Sequence, residues 1–325
     1  MKHLIHLFWL LAIVATGFAQ TRIDVTMIVD GVEREFIVAR PSGAAPAGGY
    51  PVVVMFHGTG GDGERFYTSS GWKEKGELEG VLTVFPSSLR YCFRGAGGES
   101  ETSKWNNGEA QQVKCAGVVL KDDVRFVRMM IDTIVKMLPV DERRIYAAGF
   151  SNGGGFASKL AVEMSDRFAA VAAAAGPLNR LDSAAPRRHV PIAYFRGDED
   201  NTFIEKTGLP AIPFNDSCLI YFSAILRGYL GAFNLAESYV KDSSAIALAY
   251  LYTTPASASL PSSELLMIMF KGLGHIYPNG TNYPMAAADV LWPFFNRHQL
   301  SSVPVRSQSF EPDLDPVEKE SLRLM

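Results

Sequence analysis

Arg143-Arg144-Ile145-Tyr146-Ala147-Ala148-Gly149-Phe150-Ser151-Asn152-Gly153-Gly154-Gly155 holds an apolar run, a glycine-flanked serine and the start of a helical pattern. Ile145 to Ala148 has the character of a short buried strand. Gly149-Phe150-Ser151-Asn152-Gly153 fits the G-x-S-x-G pattern of a nucleophile on a sharp turn, and Phe156 to Met164 continues with helical spacing. A serine there sits at strained backbone angles, and its neighbours must let other chain come close, which residues without a Cβ do at least cost. The turn lifts the hydroxyl above the sheet, and the helix N-terminus behind it favours developing negative charge.

Outward from this stretch the chain alternates strands and helices. Val119 to Leu138 has helical spacing and leads into the Ile145 strand. Val52 to Phe56 is continuously apolar, as a central strand buried on both faces should be, and it ends in His57-Gly58-Thr59-Gly60-Gly61, a turn suited to aiming backbone N–H groups at an oxyanion. Val81 to Phe85, Ala169 to Ala175, Pro191 to Phe195 and Leu265 to Phe270 read as further strands, and Met285 to Arg297 as a closing helix. Asp24 to Val29 and Val32 to Val38 alternate around Asp30-Gly31, a hairpin signal at a sheet edge. The pattern predicts an α/β fold, a mostly parallel doubly wound sheet with helices on both faces, whose sites form at the carboxyl ends of strands. His57-Gly58, Ser151 and Asp200 all fall just beyond predicted strand ends. Pro86 to Gly117 shows no clear periodicity, and 208–263 is also irregular apart from Leu219 to Leu235, which could be a lid over the site or a packing helix.

A serine nucleophile needs a base, and the base needs an acid to fix its tautomer. Of six histidines, His3 and His6 lie in the N-terminal apolar stretch, His57 belongs to the glycine-rich turn, His189 precedes a strand and His298 ends a helix. His275 alone sits in a glycine-flanked loop after a strand, downstream of the acidic loop Asp198-Glu199-Asp200. Asp200 is the preferred acid, with Asp198 in reserve. Trp105 and Tyr277 are candidates to contact substrate.

With 325 residues, 47% hydrophobic, the chain can bury a large core. A net charge of −3 and a pI near 6.1 give no support for a nucleic-acid or anionic-membrane partner. Residues 1–19 read as a secretory signal, with Lys2, an apolar run from Leu7 to Val14 and Gly17-Phe18-Ala19 before the candidate cleavage point. The expected organisation is a signal peptide over 1–19, a catalytic domain over 20–300 and a disordered tail over 301–325. Cys92 and Cys115 could close the loop between them in an oxidising compartment, leaving Cys218 over, although spacing alone leaves the pairing open. No metal or other cofactor site is expected, because the histidines are scattered and no cysteine pair has ligand spacing.

The chain resembles the secreted α/β-hydrolase group that includes polyhydroxybutyrate depolymerases and feruloyl or acetylxylan esterases. The resemblance rests on His57-Gly58-Thr59-Gly60-Gly61, Ser70-Gly71-Trp72, Trp105-Asn106, Asp122-Asp123-Val124, Val140 to Tyr146, Gly149 to Gly154, Arg167 to Val171 and Gly274-His275, spread over about residues 24–299. It implies a Ser151, Asp200, His275 triad, with the Thr59 and Asn152 backbone N–H groups as the oxyanion hole. It further implies a secreted serine esterase acting on polymer-derived esters. Two positions depart from the group's usual pattern: Arg196-Gly197 stands where His-Gly is usual, and Tyr277 where a Trp is usual. Residues 208–263 match poorly. A peptidase, or a catalytically silent polysaccharide-binding member, are the alternatives.

Overall fold

The computed structural model describes residues 20–95, 97–178, 186–205, 207–255 and 263–301. The proposed signal at 1–19 and nearly all of the proposed tail at 301–325 lie outside these residues. Twelve strands are formed among the described residues: β1 (Thr21–Val29), β2 (Val32–Arg40), β3 (Tyr50–Phe56), β4 (Leu82–Pro86), β5 (Arg90–Gly95), β6 (Gly98–Ser103), β7 (Val140–Phe150), β8 (Ala170–Ala174), β9 (Ile192–Gly197), β10 (Tyr239–Ser243), β11 (Ala247–Thr253) and β12 (Glu264–Phe270). The helices are α1 (Gly63–Ser69), α2 (Trp72–Glu79), α3 (Glu109–Val113), α4 (Asp123–Met137), α5 (Asn152–Glu163), α6 (Asn201–Ile204), α7 (Cys218–Ala232) and α8 (Ala287–Asn296).

Ten strands form one sheet in the order β1-β2-β4-β3-β7-β8-β9-β12-β11-β10. From β4 to β12 neighbouring strands run parallel, while β1 and β2 at one edge and β11 and β10 at the other are antiparallel. β3 shows why the centre is apolar throughout. Val52, Val54 and Phe56 point to one face, where Phe126 of α4, Phe156 and Leu160 of α5 and Phe222 and Tyr229 of α7 pack. Val53 and Met55 point to the other, against Phe66 of α1, Trp72 of α2 and Trp292 and Phe295 of α8. A period-2 strand between two helical layers leaves no face for polar residues. The sheet is thus doubly wound, as the alternation of elements requires.

Two stretches that looked irregular in sequence carry regular elements among their described residues. Between Pro86 and Gly117, β5 and β6 pair antiparallel in a small separate sheet, and a Cys92–Cys115 disulfide ties this hairpin to the end of α3. Cys218 is a free, buried thiol. Within 208–263, α7 packs its Phe222, Leu226 and Tyr229 into the core, and β10 and β11 extend the sheet edge. No described helix is long and apolar enough to cross a membrane.

Candidate active site

β7 delivers Ser151 onto the turn before α5. Its backbone lies at φ 54° and ψ −121°, a conformation that costs a non-glycine residue about 1–3 kcal/mol. The surroundings enforce it: the Ser151 N–H donates to Ala174 O at 2.8 Å, and Gly155 N donates to Ser151 O at 3.0 Å. Gly153 is needed for close approach, since a Cβ there would stand 2.3 Å from both Phe56 O and His57 O. A serine at a helix start ordinarily caps the helix with its hydroxyl. Here that bond is not made, and Oγ instead meets His275 Nε2 at 2.9 Å.

His275 follows β12, and its Nδ1 lies 3.0 Å from both carboxylate oxygens of Asp200, which follows β9. Nδ1–H therefore donates to the acid, and Nε2 is left to accept from Ser151. Asp200 is completely buried. Thr202 donates to its Oδ1 from both N (3.1 Å) and Oγ1 (2.7 Å), and an Arg196 guanidinium nitrogen stands 3.3 Å from Oδ2. Burial alone would raise the carboxyl. The His275 hydrogen bond, the Arg196 charge and the Thr202 hydrogen bond outweigh it and hold Asp200 below the usual carboxylate range. Asp198, the reserve acid, is turned elsewhere. It accepts from Gly272 N at 2.6 Å, and burial raises its carboxyl.

The turn after β3 abuts the serine: a Cβ on Gly58 would lie 3.3 Å from Ser151 Cβ. Thr59 is exposed above it, and Asn152 is the first residue of α5. The Asn152 side chain is committed to Trp105, accepting from its N at 2.7 Å and donating to its O at 3.1 Å. An N–H in the first turn of a helix has no partner inside that helix, so α5 itself does not use the Asn152 amide. His57 is fully buried. Its Nε2 accepts from Ser88 N at 3.0 Å, so Nδ1 carries the proton and donates to Gly58 O at 2.7 Å. Burial pushes this imidazole down to about 4, against an opposing hydrogen bond to Gly58, so it is a neutral clamp on the turn.

Two expectations are corrected. Trp105 is not open to substrate: it is 0% exposed, stacked on Phe156 with centroids 5.1 Å apart, and its Nε1 donates to His57 O at 3.0 Å. Tyr277 is likewise buried, its OH accepting from Trp72 Nε1 at 2.8 Å, which leaves neither ring a face for a ligand. Trp105 packs against Phe56, Phe156 and His57, and Tyr277 against Phe66, Phe150 and Phe195; a sequence does not say which side of a loop a ring takes. Ile276, beside the histidine, is 41% exposed instead. Thr202 and Ser103 were not singled out from the sequence. Ser103 Oγ donates to Gly61 O at 2.6 Å and its O accepts from Gly60 N at 2.9 Å, tying the hairpin to the glycine-rich turn. Thr202 had a detectable signal, standing two residues after an acid where an Asx-type turn is common.

Comparison with known proteins gives the same class. A feruloyl esterase B of Piromyces equi is 31% identical over 183 residues, 55% of this chain and 31% of that protein. A bifunctional acetylxylan esterase/xylanase of Neocallimastix patriciarum is 29% identical over 171 residues, 53% of this chain and 22% of that one. A poly(3-hydroxyoctanoate) depolymerase of Pseudomonas fluorescens is 27% identical over 179 residues, 52% and 63% of the two chains. The matches thus span less than two thirds of these curated relatives. Among solved structures, an S-formylglutathione hydrolase from Agrobacterium tumefaciens superposes with a TM-score of 0.57 at 16% identity, covering 87% of this chain and 96% of that one. An acetyl xylan esterase from Aspergillus awamori gives 0.53 at 15%, covering 85% and 99%. At such identities these likenesses establish the α/β-hydrolase fold alone. The Esterase family model matches residues 30–218, more than half of the chain, and the protein belongs to that family.

Proposed function

We propose that this protein is a serine carboxylic-ester hydrolase in which Ser151, His275 and Asp200 act together. The observation that carries this reading is the continuous relay from Ser151 Oγ to His275 Nε2 at 2.9 Å and from Nδ1 to Asp200 at 3.0 Å, set on a strained turn. His275 takes the Ser151 proton as Oγ attacks the ester carbonyl, and Asp200 steadies the imidazolium. The Thr59 and Asn152 N–H groups receive the oxyanion, with the α5 N-terminus adding a favourable field. His275 then gives its proton to the departing alcohol. A water activated by the same imidazole attacks the acyl-enzyme, and the acid leaves as Ser151 recovers its proton. No step calls for a metal or another cofactor.

The substrate is an ester from a polymer, a feruloyl or acetyl group on a polysaccharide or a short polyester, as the names of the relatives suggest. Residues 20–300 make up the catalytic domain, and the 1–19 segment exports it without a stable membrane anchor. The test compares kcat/KM on methyl ferulate with that on a 3-hydroxybutyrate trimer, using Ser151→Ala as the blank. Activity on one of them that vanishes in Ser151→Ala is expected. Hydrolysis retained by a folded Ser151→Ala would refute the proposal, and no activity on either ester would favour a binding protein on this fold.

A further inference from the structure

We propose that Arg196, at the end of β9, is a positioning residue that locks the acid loop to the nucleophile turn and widens the working range of the triad toward acid pH. This rests on the triad reading above. Arg196 brings a permanent charge to this position. It is 5% exposed, and every edge of its guanidinium is engaged. Nε donates to Tyr194 OH at 3.0 Å, Nη2 to Ala175 O at 2.5 Å, and Nη1 stands 3.3 Å from Asp200 Oδ2, while Phe203 of α6 covers one face at 4.7 Å.

The Ala175 contact gives the arrangement its reach. Ala175 is itself at φ 54°, and it is held there by its N–H to Phe195 O at 2.8 Å. The preceding carbonyl, Ala174 O, accepts the Ser151 N–H, and a Cβ on the following Gly176 would strike Ser151 O. One guanidinium therefore spans the turn that supports the nucleophile and the carboxylate that orients the base. A planar fork with several fixed donors can make such a bridge; a lysine ammonium or an imidazole cannot reach all of these acceptors at once.

The charge has a second consequence. Asp200 Oδ2 is shared between Arg196 and His275, so part of the carboxylate's pull on an imidazolium is already cancelled. The other groups around Arg196 and Asp200 are the phenols of Tyr194 and Tyr229, both kept neutral by burial, the buried Asp198 carboxyl, and the exposed Glu199 and Lys271. None of them replaces a guanidinium in contact with the acid. A fixed positive charge this close opposes adding a proton to the triad as a whole, so the proton-accepting form persists to lower pH.

The experiment measures kcat/KM on 4-nitrophenyl acetate from pH 4 to 9 for wild type, Arg196→Gln, Arg196→Lys and Ser151→Ala. Arg196→Gln should lower the plateau about tenfold and move the acid limb up by about one pH unit. Arg196→Lys should keep the limb in place while the plateau falls several-fold, because charge is retained and the fork is lost. A folded Arg196→Gln with the wild-type limb overturns the inference, even if its plateau is low. Should Arg196→Gln not fold, Arg196→Lys decides, since a limb that moves with the charge present, or an unchanged plateau, overturns it equally. Turnover retained by Ser151→Ala would bring down the triad reading itself. A dead Ser151→Ala beside a wild-type Arg196→Gln profile removes only the role given to Arg196.

Discussion

Opening the Cys92–Cys115 disulfide should weaken the fold and slow the enzyme through separate routes. The bond joins residues 23 apart in sequence and closes the β5–β6 hairpin onto the end of α3. Chain-entropy arithmetic for a loop of about 24 residues gives roughly 3 kcal/mol of stabilisation. Unfolding a domain of about 280 residues carries an entropy near 0.6 kcal/mol per kelvin, so the double variant Cys92→Ser/Cys115→Ser should melt about 5–6 °C below wild type. The functional effect comes from what the hairpin holds: Ser103 at its end bonds both Gly60 N and Gly61 O, and Trp105 just beyond bonds His57 O and clasps Asn152. Once the hairpin is free to shift, the Thr59 turn loses that backing, and kcat should drop several-fold at 25 °C, where the variant is still folded. Calorimetry and initial rates on 4-nitrophenyl acetate, with and without reductant, read the two effects independently. A melting point within about 1 °C of wild type and an unchanged kcat would refute the reasoning, by showing that the noncovalent contacts of the hairpin suffice.

Three further outcomes follow from the same geometry. His57 is buried and neutral, with its imidazole lowered from 6.5 to about 4, so the unfolded chain binds the extra proton first as pH falls; stability present above pH 6.5 should decline toward pH 4 by up to about 3 kcal/mol, and His57→Gln should flatten that part of a denaturant-midpoint against pH plot. Gly176→Ala would place a Cβ 1.9 Å from Ser151 O, so kcat should fall at least 100-fold in a variant whose circular dichroism is unchanged; a near-native rate would mean that the elbow relaxes freely. Asp200→Asn should lose roughly a thousandfold or more in kcat, while Asp198→Asn, which can still accept from Gly272 N, should lose less than threefold; similar losses in both would reverse the assignment of the acid.

The sequence made the centre of the molecule legible and its margins much less so, for a physical reason. β3 and β8 are buried along their whole length, and β7, β9 and β12 carry the apolar cores Ile145 to Ala148, Ile192 to Phe195 and Leu265 to Phe270, so these runs stand out against helices of period 3.6. Sites in such a sheet form at strand ends, which is why Ser151 and the acidic loop with Asp200 stand out as candidates, with His275 added by elimination among the histidines. The edge strand β10 is exposed along its whole length, and β5–β6 exposes Arg90, Arg94, Glu99 and Glu101 beside glycines and Ser100, so neither leaves an apolar signature. Trp105 marks the limit of composition as a guide: an indole beside a glycine-rich turn suits a substrate wall or a buttress equally well, and the choice is made by Phe56, Phe156 and His57 packing around it. Arg196 is the converse case. In sequence it was a departure beside the acid loop, with no periodicity to interpret. Its meaning lies in acceptors contributed by β8, β9 and the acid loop, Ala175 O, Tyr194 OH and Asp200, which only the parallel packing of β8 against β9 brings within one guanidinium's span. Local pattern therefore points to where the proposed nucleophile, base and acid stand, and long-range packing specifies what holds those side chains at hydrogen-bond distance.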